Sequence, residues 1–428
     1  MQQRSHKGWQ VGSLFGIPLY IDTSWLFIVG LVTFVNGLAW QETYPNWGTG
    51  LAWLIGFAMA LLLFGSVLLH ELGHSLVALS QGTKVNSITL FLFGGIASID
   101  EEAKTPGKAF QVAIAGPAVS FILFVLLGIL AGLAATGTPG RVLGTDLAQI
   151  NLVLALFNLI PGLPLDGGQI LKAAVWKFTG NRFQGVHWAA RVGQVLGWTA
   201  VILGIGSALL TGNFSGYWIA LLGWFGLRNA SNYDRFTDLQ EGLLQLQAKD
   251  AMTREFRVVD AEQTLRQFAD EFLLATTRAP AYFAASDGRY RGLVRVDDLS
   301  TVERSRWETE PLQAIVSPLP DIAAVVEPTP LIEVIDRLQQ EKLPFLTVLS
   351  PAGAVSGIVD RGDTVRALAQ QMKWAITDGD IRRIKEEGDY PANLPLPAIA
   401  RTVMSDLQAS DQSKAPTEVA ASSATDNG

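Results

Sequence analysis

Two histidines and a glutamate within five residues are the part of this sequence best suited to chemistry. His70, Glu71 and His74 form the motif HELGH inside the apolar stretch Leu61–Gln81. On a helix, residues four apart leave the same face one turn apart, so both imidazoles could bind one zinc ion. Glu71 beside them could act as a general base for the attacking water. The alternative is a pair of helix histidines satisfied by neighbours, but unpaired imidazole and carboxylate groups in hydrocarbon are costly and usually functional.

A catalytic zinc also needs a third protein ligand and one open position. The other histidines are unsuitable, because His6 lies in the N-terminal arm and His187 among residues of a cytosolic loop. Asp166 is the only acid in the apolar stretch Leu147–Ile170. It lies about 19 residues from the outer start of its span, as His70 does, which at ~1.5 Å per residue gives both a similar depth. We therefore predict Asp166 as the third ligand. Its alternative role is to cap the second half of a broken helix.

The composition of the chain changes near Arg228. Leu, Ile, Val, Ala, Phe, Trp and Gly dominate before that point, whereas Asp, Glu, Arg, Lys and Gln become frequent after it. This change predicts a membrane half followed by a soluble half. A net charge of −7 and a pI near 5.3 argue against a nucleic-acid partner. The absence of cysteine excludes disulfides and Cys-based metal sites.

The first half contains six segments that predict membrane spans. Lys and Arg cluster in the N-terminal arm, after the second span, near the end of the fourth and after the sixth, whereas the opposite loops contain just Arg141. By the positive-inside rule, both termini are therefore expected in the cytosol. The predicted spans are Leu19–Trp40, Leu51–Leu79, Lys108–Ala135, a fourth beginning near Leu147, Ala189–Leu210 and Tyr217–Leu227.

Two irregular segments interrupt this helical pattern. The stretch KVNSITLFLFGGIASID, between spans two and three, is rich in β-branched and aromatic residues and predicts a short membrane-associated β-hairpin. The stretch Asn158–Ile170, NLIPGLPLDGGQI, contains two prolines and three glycines and should break the fourth span. Such backbone is tolerated at membrane depth only where it is packed in protein or lines a cavity.

The soluble half contains an internal repeat. APAYFAASDGRYRGLVRVDDL and LPFLTVLSPAGAVSGIVDRGDTV both predict strand, turn, strand and the start of a helix. Gly292 and Gly357 are equivalent points of a repeat about 65 residues long. Amphipathic stretches at Gln263–Leu274 and Leu331–Gln340 precede the two strand pairs. The predicted domains are a membrane domain 1–230, a helical connector 231–248, the repeats 249–372, a short extension 373–404 and a disordered tail 405–428.

HELGH in the second span together with NLIPGLPLDGG in a later one resembles the site-2 protease family of intramembrane zinc metalloproteases. The closest resemblance is to its six-span branch with C-terminal CBS domains. This resemblance implies a polytopic α-helical membrane domain with six transmembrane helices and a short membrane-associated β-hairpin, followed by a soluble α/β CBS-pair domain. It also implies His70, His74 and Asp166 as ligands of one zinc ion and Glu71 as the base.

Three further segments match the family in part. Asn158 matches the family asparagine upstream of the ligand aspartate, which implies a catalytic role in holding substrate or the tetrahedral intermediate; it could instead satisfy backbone freed by Pro161. The Gly94–Gly95 hairpin matches a β segment whose edge could pair with an unwound substrate strand, or could serve hairpin packing alone. AGPAVS resembles the family motif AGPxxN, but Ser120 replaces the asparagine, and we interpret this segment as helix packing.

The repeat resembles a CBS pair, a module that often binds adenine nucleotides through G-x-x-[ST]-x-x-D. In the first half Asp298 fits this pattern, but Arg295 stands where the pattern has Ser or Thr. In the second half Asp363 fits, but Asp360 stands at the Ser/Thr position. The aspartates could bind ribose hydroxyls, whereas Asp360 would repel a phosphate. An adenine nucleotide at the CBS pair and a ligand-free module for homodimerisation or substrate gating both remain open.

The resemblance implies regulated intramembrane proteolysis in the lipid bilayer of a bacterial plasma membrane, with both termini cytoplasmic. The expected substrate is a membrane-spanning protein, such as a tethered transcription regulator or anti-sigma factor. One alternative is a CBS-regulated membrane zinc-binding or transport protein without protease activity. A transport site, however, need not place Glu inside H-E-x-x-H or leave a ligand position open. An inactive scaffold is disfavoured because every expected chemical position is filled.

Overall fold

The computed structural model describes residues 8–92, 94–100, 103–212, 214–273, 281–391 and 394–404. His6 and the predicted disordered tail 405–428 lie outside the described residues. The chain forms two compact units that divide between Thr237 and Asp238.

The membrane unit contains a four-stranded sheet rather than a single hairpin. The predicted hairpin is confirmed as β3 and β4, which are antiparallel, but β3 also pairs in parallel with β2 of an N-terminal hairpin. The predicted first span therefore begins too early, because Leu19–Asp22 belongs to a strand. Asp22, expected near the start of that span, accepts a hydrogen bond from the Ser24 backbone N–H at 2.9 Å and caps the first helix. The sheet consists of β1 (Gly8–Leu14), β2 (Ile17–Asp22), β3 (Val85–Phe91) and β4 (Gly94–Ile99), in that order.

Seven α-helices begin in this unit within the residues that the structure describes, and the last of them continues past its boundary at Thr237. Among the described residues, five helical segments are long and apolar enough to cross a membrane. The predicted sixth span, Tyr217–Leu227, is the apolar first part of a longer helix whose second part is polar. Its apolar part is too short for this helix to be counted among the five. The predicted break after Asn158 is confirmed, because residues 159–165 separate two helices. The helices are α1 (Thr23–Thr43), α2 (Gly48–Ser80), α3 (Pro106–Leu133), α4 (Pro139–Asn158), α5 (Asp166–Thr179), α6 (Arg182–Thr211) and α7 (Ser215–Gln245), and all of these except α5 and α7 are membrane-spanning candidates.

The soluble unit confirms the predicted repeat. In each half a strand pairs in parallel with the first strand of an antiparallel hairpin, and a helical segment connects them. Gly292 and Gly357 occupy equivalent places in the second strands of the two hairpins. After α8 (Ala248–Ala251), the first half contains β5 (Phe256–Asp260), α9 (Leu265–Phe268), β6 (Ala281–Ser286), β7 (Arg289–Val294) and β8 (Val316–Pro318). The second contains β9 (Ala324–Val326), α10 (Leu331–Gln340), β10 (Phe345–Leu349), β11 (Val355–Asp360), α11 (Arg361–Gln371) and α12 (Asp378–Glu387).

Residues beyond the second repeat contribute to its hydrophobic core. Ile381 and Ile384 of α12 are buried in the same cluster as Leu331 of α10 and Leu368 of α11. This packing places the ammonium group of Lys385 against the start of α11.

Asp363, one of the two aspartates that fit the nucleotide pattern, lies in this packed region and is held by cations of the same chain. Its side chain is fully buried, and its Oδ1 lies 2.8 Å from Lys385 Nζ and 3.0 Å from Arg366 Nη1. Lys385 also lies 3.2 Å from Asp360 Oδ2. Burial and the neighbouring Asp360 carboxylate raise the pKa of Asp363 to about 6, despite the lysine.

This raised pKa predicts that protonation of Asp363 stabilises the soluble unit. An unfolded aspartate titrates near ~3.9, so between that pH and about 6 the folded state binds more protons than the unfolded state. The contribution of Asp363 to the free energy of unfolding should therefore decrease by roughly 3 kcal/mol at most as pH rises from 4 to 6, and level off above that. Urea denaturation of wild type and Asp363→Asn at several pH values, followed by tryptophan fluorescence, measures the difference.

The stability difference between wild type and Asp363→Asn should change over this pH interval. The matched control is Asp287→Asn, since the Asp287 side chain is 86% exposed. Its difference from wild type should be independent of pH. A constant difference for Asp363→Asn between pH 4 and 7 would contradict the assignment.

Candidate metal centre

The structure brings His70, His74 and Asp166 together. The two histidines lie on one face of α2, and Asp166 is the first residue of α5, directly after the broken segment. Asp166 Oδ2 lies 3.1 Å from His70 Nε2 and 3.3 Å from His74 Nε2, and the two Nε2 atoms are 3.3 Å apart. Both imidazoles are buried, and the Asp166 side chain is 21% exposed. Within the described residues, these three form a group that could hold a metal ion.

The donor chemistry of this group fits a zinc ion. His74 Nδ1 lies 2.7 Å from the Val112 carbonyl oxygen, which can only accept, so Nδ1 carries a proton and a neutral His74 has its lone pair on Nε2. That lone pair faces the carboxylate oxygen and His70 Nε2. Ligands at ~2.05 Å from a tetrahedral zinc are roughly 3.3 Å from one another, close to the separations in this structure. The three side chains therefore converge on a position suited to a small cation.

Helix α3 orients both imidazoles through their other nitrogens. Ser120 Oγ lies 2.9 Å from His70 Nδ1, and the Val112 carbonyl binds His74 Nδ1. Val112 and Ser120 are eight residues apart, a little over two turns, so they lie on the same side of α3. Partners of this kind fix the tautomer and direction of metal-binding histidines. Ser120, interpreted from sequence as helix packing, therefore also contacts the site.

Gly116 allows α3 to approach the histidines this closely. It lies midway between Val112 and Ser120, and a Cβ at this position would collide with His74 Nε2 and come within 2.7 Å of His70 Nε2. The AGP motif was the only sign of this glycine in the sequence. The structure shows why a glycine is needed there: α3 contacts the histidines of α2 at this point.

Removing the Ser120 hydroxyl should weaken zinc binding. Ser120→Ala leaves His70 Nδ1 without its partner, so the imidazole can rotate, and we expect zinc affinity to fall by about 10- to 100-fold. Ser120→Thr retains a hydroxyl and should keep most of the affinity. Competition with a fluorescent zinc chelator measures both.

The matched control for this prediction is Ser75→Ala. Ser75 is as buried as Ser120, but its hydroxyl has no partner within the part of the chain that the structure describes. Its loss should leave zinc affinity unchanged. Equal affinities for Ser120→Ala and Ser75→Ala would show that Ser120 only fills space.

Glu71 lies beside strand β4 rather than among the converging ligand atoms. It is half-buried on α2, and its carboxylate lies near the backbone of Ala97 on β4. A Cβ added to Gly95 would press against the Glu71 side chain. The sheet edge therefore passes directly over the predicted base.

The broken segment before α5 positions Asp166. Leu165 is the N-cap of α5, so Asp166 is not the capping residue, and its carboxylate faces the histidines instead. A Cβ at Gly167 would collide with the carbonyl oxygens of Leu159 and Ile160, which explains the first glycine of LDGG. This close contact holds the helix start against the preceding turn.

The other predicted residues lie in different positions. Asn158 is the last residue of α4, half-buried, and its side chain makes no hydrogen bond within the described residues, so its catalytic role stays a prediction. His187 lies on α6, with its Nδ1 2.6 Å from Asp234 Oδ1 of α7. His187 was not expected to be a ligand, and this contact with Asp234 occupies its Nδ1.

Comparisons with known proteins agree with this chemistry. Residues 58–145 and 142–200 match peptidase family M50. A protein from Synechocystis that is named as a zinc metalloprotease is 41% identical over 360 residues, which cover 84% of this chain and 95% of the relative. The solved structure of the site-2 protease from Methanocaldococcus jannaschii is 30% identical, covers 53% of this chain and 95% of its own, and has a TM-score of 0.37. A crystal structure of CBSX2 in complex with AMP is 23% identical, covers 30% of this chain and 98% of its own, and has a TM-score of 0.26.

Proposed function

This chain belongs to peptidase family M50, the site-2 protease family, and is a zinc metalloprotease; we propose that it cuts peptide bonds in or near the transmembrane segments of membrane-tethered regulatory proteins. The observation that carries the proposal is the place of the His70–His74–Asp166 group. Two of its members lie in the C-terminal half of α2, a helix apolar enough to cross a membrane, and the third follows the break between α4 and α5. A peptide bond reaching this group must itself lie in or beside the bilayer.

The residues around the group supply the remaining chemistry of hydrolysis. When bound, zinc polarises the scissile carbonyl and activates the attacking water. Glu71 accepts a proton from that water and later passes it to the leaving amine. Ser120 and the Val112 carbonyl keep the two imidazoles in the orientation that binding requires. We propose Asn158, at the end of α4, as a further group that holds the substrate or the tetrahedral intermediate.

The edge of β4 offers a place for an unwound substrate. A helical transmembrane segment has its backbone groups paired internally, so it must become extended before hydrolysis. Strand β4 is the last in the order β1-β2-β3-β4 and passes beside Glu71. A substrate strand paired with β4 would therefore bring its backbone next to the base.

The finer features of topology and regulation are part of the same proposal. We propose that the apolar start of α7 completes a sixth crossing in a bacterial plasma membrane and that both termini are cytoplasmic, as the positions of Lys and Arg favour. The CBS pair would act as the regulatory module and could mediate homodimerisation. An adenine nucleotide would use the first half, because Asp298 is half-buried there, whereas Asp363 is fully buried and held by Lys385.

Cleavage in proteoliposomes tests the proposal. Purified full-length protein is reconstituted with a single-span substrate, with and without a zinc chelator, and products are mapped by mass spectrometry. We expect cuts within or beside the transmembrane segment that disappear on chelation and return with added zinc. Zinc-loaded protein that cuts only soluble loops, or nothing, would contradict the proposal.

A further inference from the structure

Two buried polar side chains of the membrane unit have no role in the chemistry described so far. Asn151 on α4 is fully buried, and Ser66 on α2 is 4% exposed. Ser66 precedes His70 by four residues, so it lies on the metal-binding face of α2, one turn toward the N-terminal end of that helix. The pair is therefore adjacent to the metal centre along α2.

The hydrogen bonds of Asn151 leave one strong acceptor unused. Its Nδ2 donates to the Leu147 carbonyl at 2.8 Å and to Ser66 Oγ at 3.0 Å. If the amide were flipped, its oxygen would face the Leu147 carbonyl oxygen, and neither atom could donate a hydrogen bond. The contact with Leu147 therefore identifies the atom at that position as Nδ2. The Oδ1 atom is buried and has no partner among the residues that the structure describes.

Ser66 supplies the complementary group. Its oxygen already accepts from Asn151, so its own hydroxyl proton is left to be donated. The pair thus presents one acceptor, Asn151 Oδ1, and one donor, the Ser66 hydroxyl. Buried polar groups are nearly always satisfied, which makes an unused acceptor at this place a sign of a ligand.

Bonding to the preceding turn does not by itself explain Asn151. Asn36 on α1 makes the same contact, with Nδ2 donating to the Val32 carbonyl at 2.9 Å, but Asn36 is only partly buried, and no hydrogen bond joins its side chain to α2 within the described residues. The distinguishing features of Asn151 are its full burial, its unpaired carbonyl and its contact with Ser66, which lies one turn from the predicted metal ligand His70.

We propose that Asn151 and Ser66 form a binding position for a group that donates one hydrogen bond and accepts another. Two sources in this reaction have that chemistry: a peptide group of the substrate and a water molecule on its way to the reaction. The inference rests on the proposed protease function and adds a substrate-binding or water-binding position to it.

The test compares Asn151→Leu and Ser66→Ala with the matched control Asn36→Leu. All are zinc-loaded, full-length proteins in proteoliposomes with a single-span substrate. Loss of a hydrogen bond to a bound group should lower kcat/KM by about tenfold for Asn151→Leu, with zinc content unchanged and Asn36→Leu within about twofold of wild type. Ser66→Ala keeps Asn151 in place. If Asn151→Leu does not fold, the kcat/KM of Ser66→Ala tests the proposal instead.

Direct binding distinguishes the two sources. The same substitutions are combined with Glu71→Gln, and binding of the uncleaved transmembrane peptide is measured. Weaker peptide binding identifies a peptide group, whereas unchanged binding with a lower kcat in the active protein identifies water. If wild type cleaves and both variants match Asn36→Leu, the inference is overturned. If wild type itself does not cleave, the proposed function fails instead.

Discussion

Replacing Glu71 with Gln is expected to abolish peptide hydrolysis while zinc stays bound. The Glu71 carboxylate is not among the three ligand atoms that converge, so replacing it with the glutamine amide should leave the metal group intact. The amide cannot accept a proton from the attacking water, and loss of a general base costs roughly 10²- to 10⁴-fold in rate. The measurements are cleavage of a single-span substrate in proteoliposomes and zinc content by mass spectrometry.

The matched control is Glu42→Gln, an exposed glutamate near the end of α1, which should cleave like wild type. Undiminished cleavage by Glu71→Gln would exclude Glu71 as the base. A zinc-transport protein would instead show zinc flux that is indifferent to the loss of Glu71, so measuring flux in the same vesicles separates these two functions.

Replacing Asp166 with Ala should remove zinc from the protein. Asp166 Oδ2 is the oxygen that faces both histidine Nε2 atoms, and without it only two ligands remain. Loss of a group that merely supports a ligand already lowers zinc affinity by about 10- to 100-fold. Loss of the ligand itself should therefore lower it by more than about 100-fold. Zinc content at buffered free zinc concentrations measures the effect.

The structure offers a matched control in a second histidine–aspartate pair. Asp234 Oδ1 lies 2.6 Å from His187 Nδ1 in the same unit, and neither residue belongs to the group of converging ligand atoms. Asp234→Ala should keep its zinc, whereas Asp166→Ala should lose it. Unchanged zinc content in Asp166→Ala would show that a different residue is the third ligand.

Features that depend on local periodicity and composition could be predicted from the sequence. The spacing of His70 and His74 places them on one helical face wherever the helix lies, and the prolines after Asn158 must interrupt the helix. Asp166 could be chosen because it is the only acid in its apolar stretch. These predictions needed no knowledge of which helices are neighbours.

The groups that meet across helices could not be predicted in the same way, because their contacts depend on how the helices pack. The N-terminal hairpin extends the sheet through a parallel pairing of β2 with β3, far apart in sequence, and no local pattern indicates that partner. Ser120 contacts His70, and Asn151 contacts Ser66, at separations of 50 and 85 residues. A hydroxyl or amide in an apolar stretch suits ordinary helix packing equally well, so its role depends on the side chain that the fold brings within 3 Å or so of it.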